Sequence, residues 1–180
     1  MPRLILASGS PRRAKILAEH GVEFDIVKTD AAEVCYPNDP ERTVRENAAL
    51  KNAAAHQKGY RNVLSADTIV AFQDAILGKP RDLDEARQFL RMLSGKTHVV
   101  LTGVAFDEKV VVVRSDVTFH TLSDELIEEY LERVHPLDRA GAYDIDESGD
   151  LIVSHYRGSY ENIMGLPLEP LMEWEILPRV

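Results

Sequence analysis

The stretch from Thr97 to Phe119 narrows the choice of folds most. Thr97–Phe106 and Val110–Phe119 read as two long strands rich in Val and Thr, joined by the charged turn Asp107-Glu108. A hairpin of that length commits the chain to a sheet, and the segments before it alternate strand and helix. Arg3–Ala7 is a short apolar strand, Pro11 to about His20 a helix, and Phe24–Lys28 a second strand. Asp39-Pro40 has the form of an N-cap with Pro at the first helical position, opening a helix to about Lys58. Val63–Val70 is a strongly apolar strand, followed by a hairpin around Gln73-Asp74. Asp82-Leu83-Asp84-Glu85 has the shape of a capping box and starts a helix to about Leu93. Ser123–Val134 is amphipathic, with Leu126, Ile127, Tyr130, Leu131 and Val134 on one face. The C-terminal third reads as loops, a short strand at Leu151-Ile152-Val153 and a helix near Leu168–Trp174. The class is mixed α/β. With 180 residues and no repeat or Gly/Ser-rich linker, one domain over 1–180 is expected.

Composition excludes several functions. No apolar run approaches the roughly 20 residues of a spanning helix, and the opening Met1-Pro2-Arg3-Leu4-Ile5-Leu6 is too short and soon too polar for a signal peptide. Cys35 is the single cysteine, so there is neither an intramolecular disulfide nor a zinc-cysteine cluster, and a cytoplasmic location is expected. A net charge of -9 gives no global attraction for nucleic acid or anionic membranes. A polyphosphate ligand would need a local basic cluster, a metal ion, or both.

The turn Ser8-Gly9-Ser10-Pro11-Arg12-Arg13 offers such a cluster. Ser10 stands where an N-cap belongs and Pro11 at the first helical position, so Arg12 and Arg13 fall in the first helical turn. Cations are disfavoured there by the helix dipole unless an anion occupies the site. A solvated basic patch and a phosphate site are both open readings. In Ser65-Ala66-Asp67-Thr68-Ile69-Val70 an aspartate interrupts an apolar strand, which is costly without a partner. Alternation puts Asp67 on the face of Val63, Ser65 and Ile69, and Thr68 on the other. Asp67 could accept backbone hydrogen bonds, bind a metal, or act as a base toward water. Lys79, between Gly78 and Pro80, is a candidate second phosphate contact. Asn47 and Lys51 share a helix face at four-residue spacing. Glu33 lies in a loop and says nothing alone. His98, His120 and His135 show no paired metal-binding spacing.

Taken together and in order, these segments resemble the Maf family of nucleoside triphosphate pyrophosphatases over almost the whole chain. Leu6-Ala7-Ser8-Gly9-Ser10-Pro11-Arg12-Arg13 matches its opening signature, Ser65-Ala66-Asp67-Thr68 the strand with its catalytic aspartate, and Gly78-Lys79-Pro80 its lysine loop. Leu93–His98, Thr102–Val104, Asp138–Tyr143 and Met164–Pro167 follow in register. The resemblance implies an elongated α/β fold whose mixed sheet and two lobes enclose a nucleotide cleft, similar to the inosine triphosphate pyrophosphatases. It implies hydrolysis of a nucleoside triphosphate to monophosphate and pyrophosphate with Mg or Mn. Asp67 is then the base, and Asp67 and Glu33 the metal ligands. Ser8, Ser10, Arg12, Arg13, Lys51 and Lys79 meet the substrate. A homodimer is also implied, although no apolar seam is readable. Like charges about 4 Å apart cost roughly 4 kcal/mol at an effective dielectric near 20, so Asp67 and Glu33 need a cation between them and the phosphates.

Arg12 and Thr68 match the subgroup acting on thymidine and uridine triphosphates. The third base-contacting position is glutamine there, within Gly-Ile-Gln-Gly, whereas this chain has Asp144-Ile145-Asp146-Glu147. A carboxamide donates and accepts, but an ionised Asp146 only accepts and would favour a base edge richer in donors. Pyrimidine triphosphates or a non-standard nucleotide are the expected substrates. The rival reading is a nucleotide-binding regulator of septum formation with little catalysis.

Overall fold

The computed structural model describes residues 2–179. Its helices are α1 (Pro11–Glu19), α2 (Pro40–Gln57), α3 (Leu83–Leu93), α4 (Asp124–Val134), α5 (Tyr160–Met164) and α6 (Leu168–Glu173). The strands are β1 (Leu4–Leu6), β2 (Phe24–Ile26), β3 (Val63–Phe72), β4 (Ala75–Leu77), β5 (Thr97–Phe106), β6 (Lys109–Phe119) and β7 (Val153–Arg157). Among the described residues they form one seven-stranded mixed sheet in the order β2-β1-β3-β5-β6-β7, with β4 paired to β3. Strands β1 and β2 run parallel, as do β1 and β3, while the remaining pairs are antiparallel.

The local signals fix most boundaries. Asp39 caps α2 by accepting from the Arg42 N–H at 3.0 Å, with Pro40 behind it. Asp82 caps α3 at 2.8 Å, but Glu85 reaches back to the N–H of Arg81 rather than to that of Asp82, so the box is displaced by one residue. Two expectations fail near the C-terminus. Gly149–Leu151 is a 3-10 turn and the strand starts at Val153, because Leu151 and Ile152 turn inward to the core instead of pairing. Helix α5 was not expected: five residues capped by Ser159 and closed by Gly165 at φ +117° are too short for a periodic signal. Strand β2 also ends earlier than read, at Ile26.

The long strands pass through two separate cores. Leu64 and Ala66 of β3 and Val104 of β5 pack with Leu6, Ile16 and Leu17. Val70, Phe72 and Val100 pack instead with Leu90, Ile127 and Tyr130. Thr68 and Thr102 fall between the cores and share a hydrogen bond of 2.9 Å. The expected two lobes are therefore two cores strung on common strands, and the polar residues of β3 sit at the waist. On the other face of the sheet, α2 covers Val63, Ser65, Asp67 and Ile69. Among the described residues no helix is long and apolar enough to cross a membrane.

His98 lies buried in the larger core, edge-on to Phe119 and Tyr143 at 4.9 and 5.3 Å between ring centroids. Its Nε2 meets the Tyr143 hydroxyl at 2.7 Å, and its Nδ1 has no partner among the described residues. Burial pushes its pKa down to about 4. The unfolded chain, with an ordinary imidazole near 6.5, takes up a proton in this window that the folded one refuses. The neutral-His98 contribution is complete above about pH 6.5 and is lost as pH falls toward 4, amounting to about 3 kcal/mol. Denaturant unfolding at pH 7 and pH 4 should show a smaller acid loss for His98→Gln than for the parent. Equal losses would refute the buried neutral imidazole.

Candidate active site

A gap in the sheet makes the cleft. Strand β1 pairs with β3 only as far as Leu6↔Leu64, and β4 pairs with it only at Val70↔Leu77 and beyond. Between them the β3 edge from Ser65 to Ile69 is uncovered. The two chains that would cover it turn away there, one into Ser8-Gly9-Ser10 and the other into Gly78-Lys79. Loops diverging at the ends of neighbouring strands make a crevice of the kind ligands favour in α/β sheets. The resulting cavity of about 820 Å³ is open to both faces, so both Asp67 and Thr68 line it despite pointing opposite ways.

Helix α2 brings two side chains to Asp67. Asn47 donates to its Oδ2 at 3.1 Å and Lys51 to its Oδ1 at 3.2 Å, from positions one helical turn apart. Lys51 also reaches the Ala66 carbonyl at 3.3 Å and Glu33 at 3.2 Å, so one ammonium holds both carboxylates. Asn47 exchanges hydrogen bonds with the Val34 backbone at 2.8 and 2.9 Å, which ties the Glu33 loop to the helix. This approach depends on Gly103, the β5 residue paired with Asp67. A Cβ at Gly103 would lie 2.1 Å from the Val44 carbonyl oxygen of α2. Asp67 is nearly buried, with its side chain 13% exposed, and a carboxylate so placed is stable only because it is paired.

Arg13 is a buried cation bonded to neutral groups. It donates to the Gly165 carbonyl at 2.8 Å, to Ser8 Oγ at 2.9 Å and to Thr68 Oγ1 at 3.1 Å. Burial lowers its pKa to about 10 against the pull of Asp67. No acidic residue lies in the first turn of α1, and the Ser10 side chain does not cap it. Its N-terminal N–H groups and Arg13 together favour an anion in the cleft. Ser8 Oγ accepts from Arg13 and from the Ser10 N–H, the latter at 3.2 Å, which leaves its O–H free to donate.

The remaining residues divide cleanly. Ser8, Ser10, Arg12, Arg13, Glu33, Lys51, Asp67, Thr68 and Lys79 all line the cavity. Asp146 does not. It pairs with Lys15 of α1 at 2.9 Å and accepts from the Tyr160 hydroxyl at 2.9 Å, outside the cleft. Asp138, Arg139 and Asp144 line the cavity instead. In sequence they sit within matching segments with no role of their own, because nothing in their spacing shows that the turn Ala140–Ala142 folds back onto β3 and the Gly78 loop. That fold-back is fixed by the Gly141 N–H donating to the Gly78 carbonyl at 3.1 Å. Lys28 and the exposed Cys35 also line the cavity. Among the described residues no three His, Cys, Asp or Glu side chains cluster, so the protein can offer a metal the Asp67 and Glu33 carboxylates but no closed cage.

The Maf-like protein family model matches residues 3–174. The chain is 42% identical to the dTTP/UTP pyrophosphatase of Bacillus mycoides, over 96% of this chain and 93% of that one. It is 41% identical to the enzyme of the same name from Bacillus cereus, covering 96% and 88% of the two chains, and 40% identical to that from Bacillus anthracis, covering 96% and 93%. The matched range takes in β1 through α6 and every cleft-lining residue, and the chain therefore belongs to the Maf-like protein family.

Proposed function

We propose that this protein hydrolyses a nucleoside triphosphate, preferably uridine or thymidine triphosphate, to the monophosphate and pyrophosphate with the aid of Mg or Mn. The observation that carries the reading is the meeting in one cleft of Asp67, Lys51 and Asn47 with the buried Arg13, which bonds no carboxylate among the described residues. The names of the relatives support the same chemistry.

In this reading the phosphates lie between the N-terminus of α1 and the lysines. Arg13 and the Ser8–Ser10 backbone face them from one wall, and Lys51 and Lys79 from the others. Asp67 accepts the proton of a water whose oxygen bonds to the α-phosphorus. The bond from that phosphorus to the bridging oxygen breaks, and pyrophosphate leaves. Asn47 and Lys51 each occupy one Asp67 oxygen, which holds the carboxylate still while leaving lone pairs for the proton. Asp67 and Glu33 would hold the divalent ion through lone pairs that Lys51 leaves free, since sharing that ammonium brings the two carboxylates close together. Mg is commonly bound by one or two carboxylates, with phosphate oxygens and water completing its shell. Held there, such an ion would neutralise phosphate charge and lower the pKa of a water bound to it.

A panel of triphosphates with separate pyrophosphate and phosphate readouts tests the reading. Equal yields of monophosphate and pyrophosphate are expected, together with loss of turnover in EDTA and its return with Mg or Mn. Release of phosphate instead, or a rate indifferent to EDTA, would sink it.

A further inference from the structure

Beyond the phosphates, the cleft carries a second polar group that the chemistry above does not use. Asp138 stands between two arginines. Its Oδ1 accepts from Arg139 Nη1, while its Oδ2 lies 4.0 Å from Arg12 Nη1, too far for a hydrogen bond. Among the described residues neither that oxygen nor the Arg12 guanidinium makes any hydrogen bond. Arg139 is held in place from behind. Its Nε bonds Asp144 at 3.1 Å and its Nη2 bonds Glu147 at 3.2 Å. These three bonds leave two of a guanidinium's five N–H donors free.

The support is rigid. Asp144 is buried, its Oδ1 accepts the Asp146 N–H at 2.9 Å, and its backbone is gripped on both sides by the Tyr130 hydroxyl, at 2.9 and 3.2 Å. Burial alone would raise the pKa of Asp138, but Arg139 and Arg12 hold it below the ordinary carboxylate range, so it is an acceptor only. Arg12, Asp138 and Arg139 all line the cavity. Together they supply one acceptor flanked by two donors.

We propose that Asp138 and Arg139, with Arg12, select the base by matching the imide edge of uracil or thymine. That edge reads carbonyl, N–H, carbonyl, the complement at all three positions. Guanine offers a carbonyl and an N–H but then an amino donor, which faces the second arginine unfavourably. Cytosine and adenine turn a bare ring nitrogen toward the carboxylate and an amino group toward an arginine. Asp146 takes no part, since both its oxygens are engaged outside the cleft. The inference rests on the pyrophosphatase reading for its turnover assay but not for its binding assay.

The test compares UTP, CTP and 3-methyl-UTP, which lacks the N–H, as substrates of the parent, Asp138→Ala and Asp138→Asn. The parent should lose about 10- to 100-fold in kcat/KM on 3-methyl-UTP relative to UTP. Asp138→Ala should lose a similar factor on UTP and no further activity on 3-methyl-UTP. Asp138→Asn, whose amide can donate to the cytosine ring nitrogen, should move the CTP/UTP ratio upward. A parent indifferent to the methyl group, or variants that fall equally on all three substrates, would overturn the assignment. The methylated substrate needs no variant to fold. If the parent hydrolyses no triphosphate, the pyrophosphatase reading fails by itself. Calorimetric affinities of UMP, CMP and 3-methyl-UMP then decide base selection, equal values refuting it and a clear UMP preference supporting it.

Discussion

Replacement of Asp67 by Asn should abolish pyrophosphate release, by about 10²- to 10⁴-fold, the usual contribution of a positioned general base. The two side chains are nearly the same size, but their hydrogen-bonding capacities differ. Asn47 and Lys51 both donate to Asp67, and a carboxamide can satisfy only one of them while turning its own N–H₂ toward the other. The variant therefore carries a structural cost of about 1–3 kcal/mol besides the lost base. Lys51 keeps Glu33 at 3.2 Å as a partner, which limits the damage. Thermal unfolding alongside the turnover assay separates the two effects. A folded Asp67→Asn protein retaining more than about a tenth of parental turnover would remove Asp67 from the base role.

The largest effect on stability should come from a single methyl group. In Gly103→Ala the new carbon meets the Val44 carbonyl oxygen at 2.1 Å, the Val44 carbonyl carbon at 2.5 Å and the Arg45 nitrogen at 3.0 Å. All three are backbone atoms of α2, so no rotamer change relieves the overlap and the helix itself must move off the sheet. Overpacking of this kind costs roughly 3 kcal/mol or more, a fall in Tm on the order of 10 °C for a chain of this size. Asn47 and Lys51 ride on the same helix and both bond Asp67, so turnover should fall even at temperatures where the variant is folded. A melting curve within about 2 °C of the parent would show that α2 does not need the glycine.

These two sites differ in how far the sequence announces them. Asp67 is conspicuous as a charge inside an apolar strand, and Asn47 and Lys51 declare a shared face by their spacing. The helix starts at Asp39 and Ser123 are likewise legible, because a cap acts over three or four residues. Gly103 gives no such sign, since its importance comes from a helix that begins some sixty residues earlier in the chain. The uncovered edge of β3 is equally silent. It depends on where β1 and β4 stop, and short strands end through tertiary competition rather than through any residue of their own. Asp146 shows the converse. Its place in a matching segment suggests the cleft, yet Lys15 and Tyr160 offer it two hydrogen bonds elsewhere. Asp138 and Arg139 gain a cleft position only because Gly141 is tied to Gly78.

The bond from Arg13 to the carbonyl of Gly165 spans 152 residues, and the cleft it borders is lined from Ala7 to Gly165. Closing a loop of that size early in folding is entropically costly before other contacts repay it. The cleft is consequently an emergent property of the completed chain. During synthesis, Arg13 emerges long before the turn at Gly165 that neutralises its donors, and until then its charge stays in water. Catalytic competence and global cooperativity are thus coupled, and no fragment ending before α5 can carry a working site.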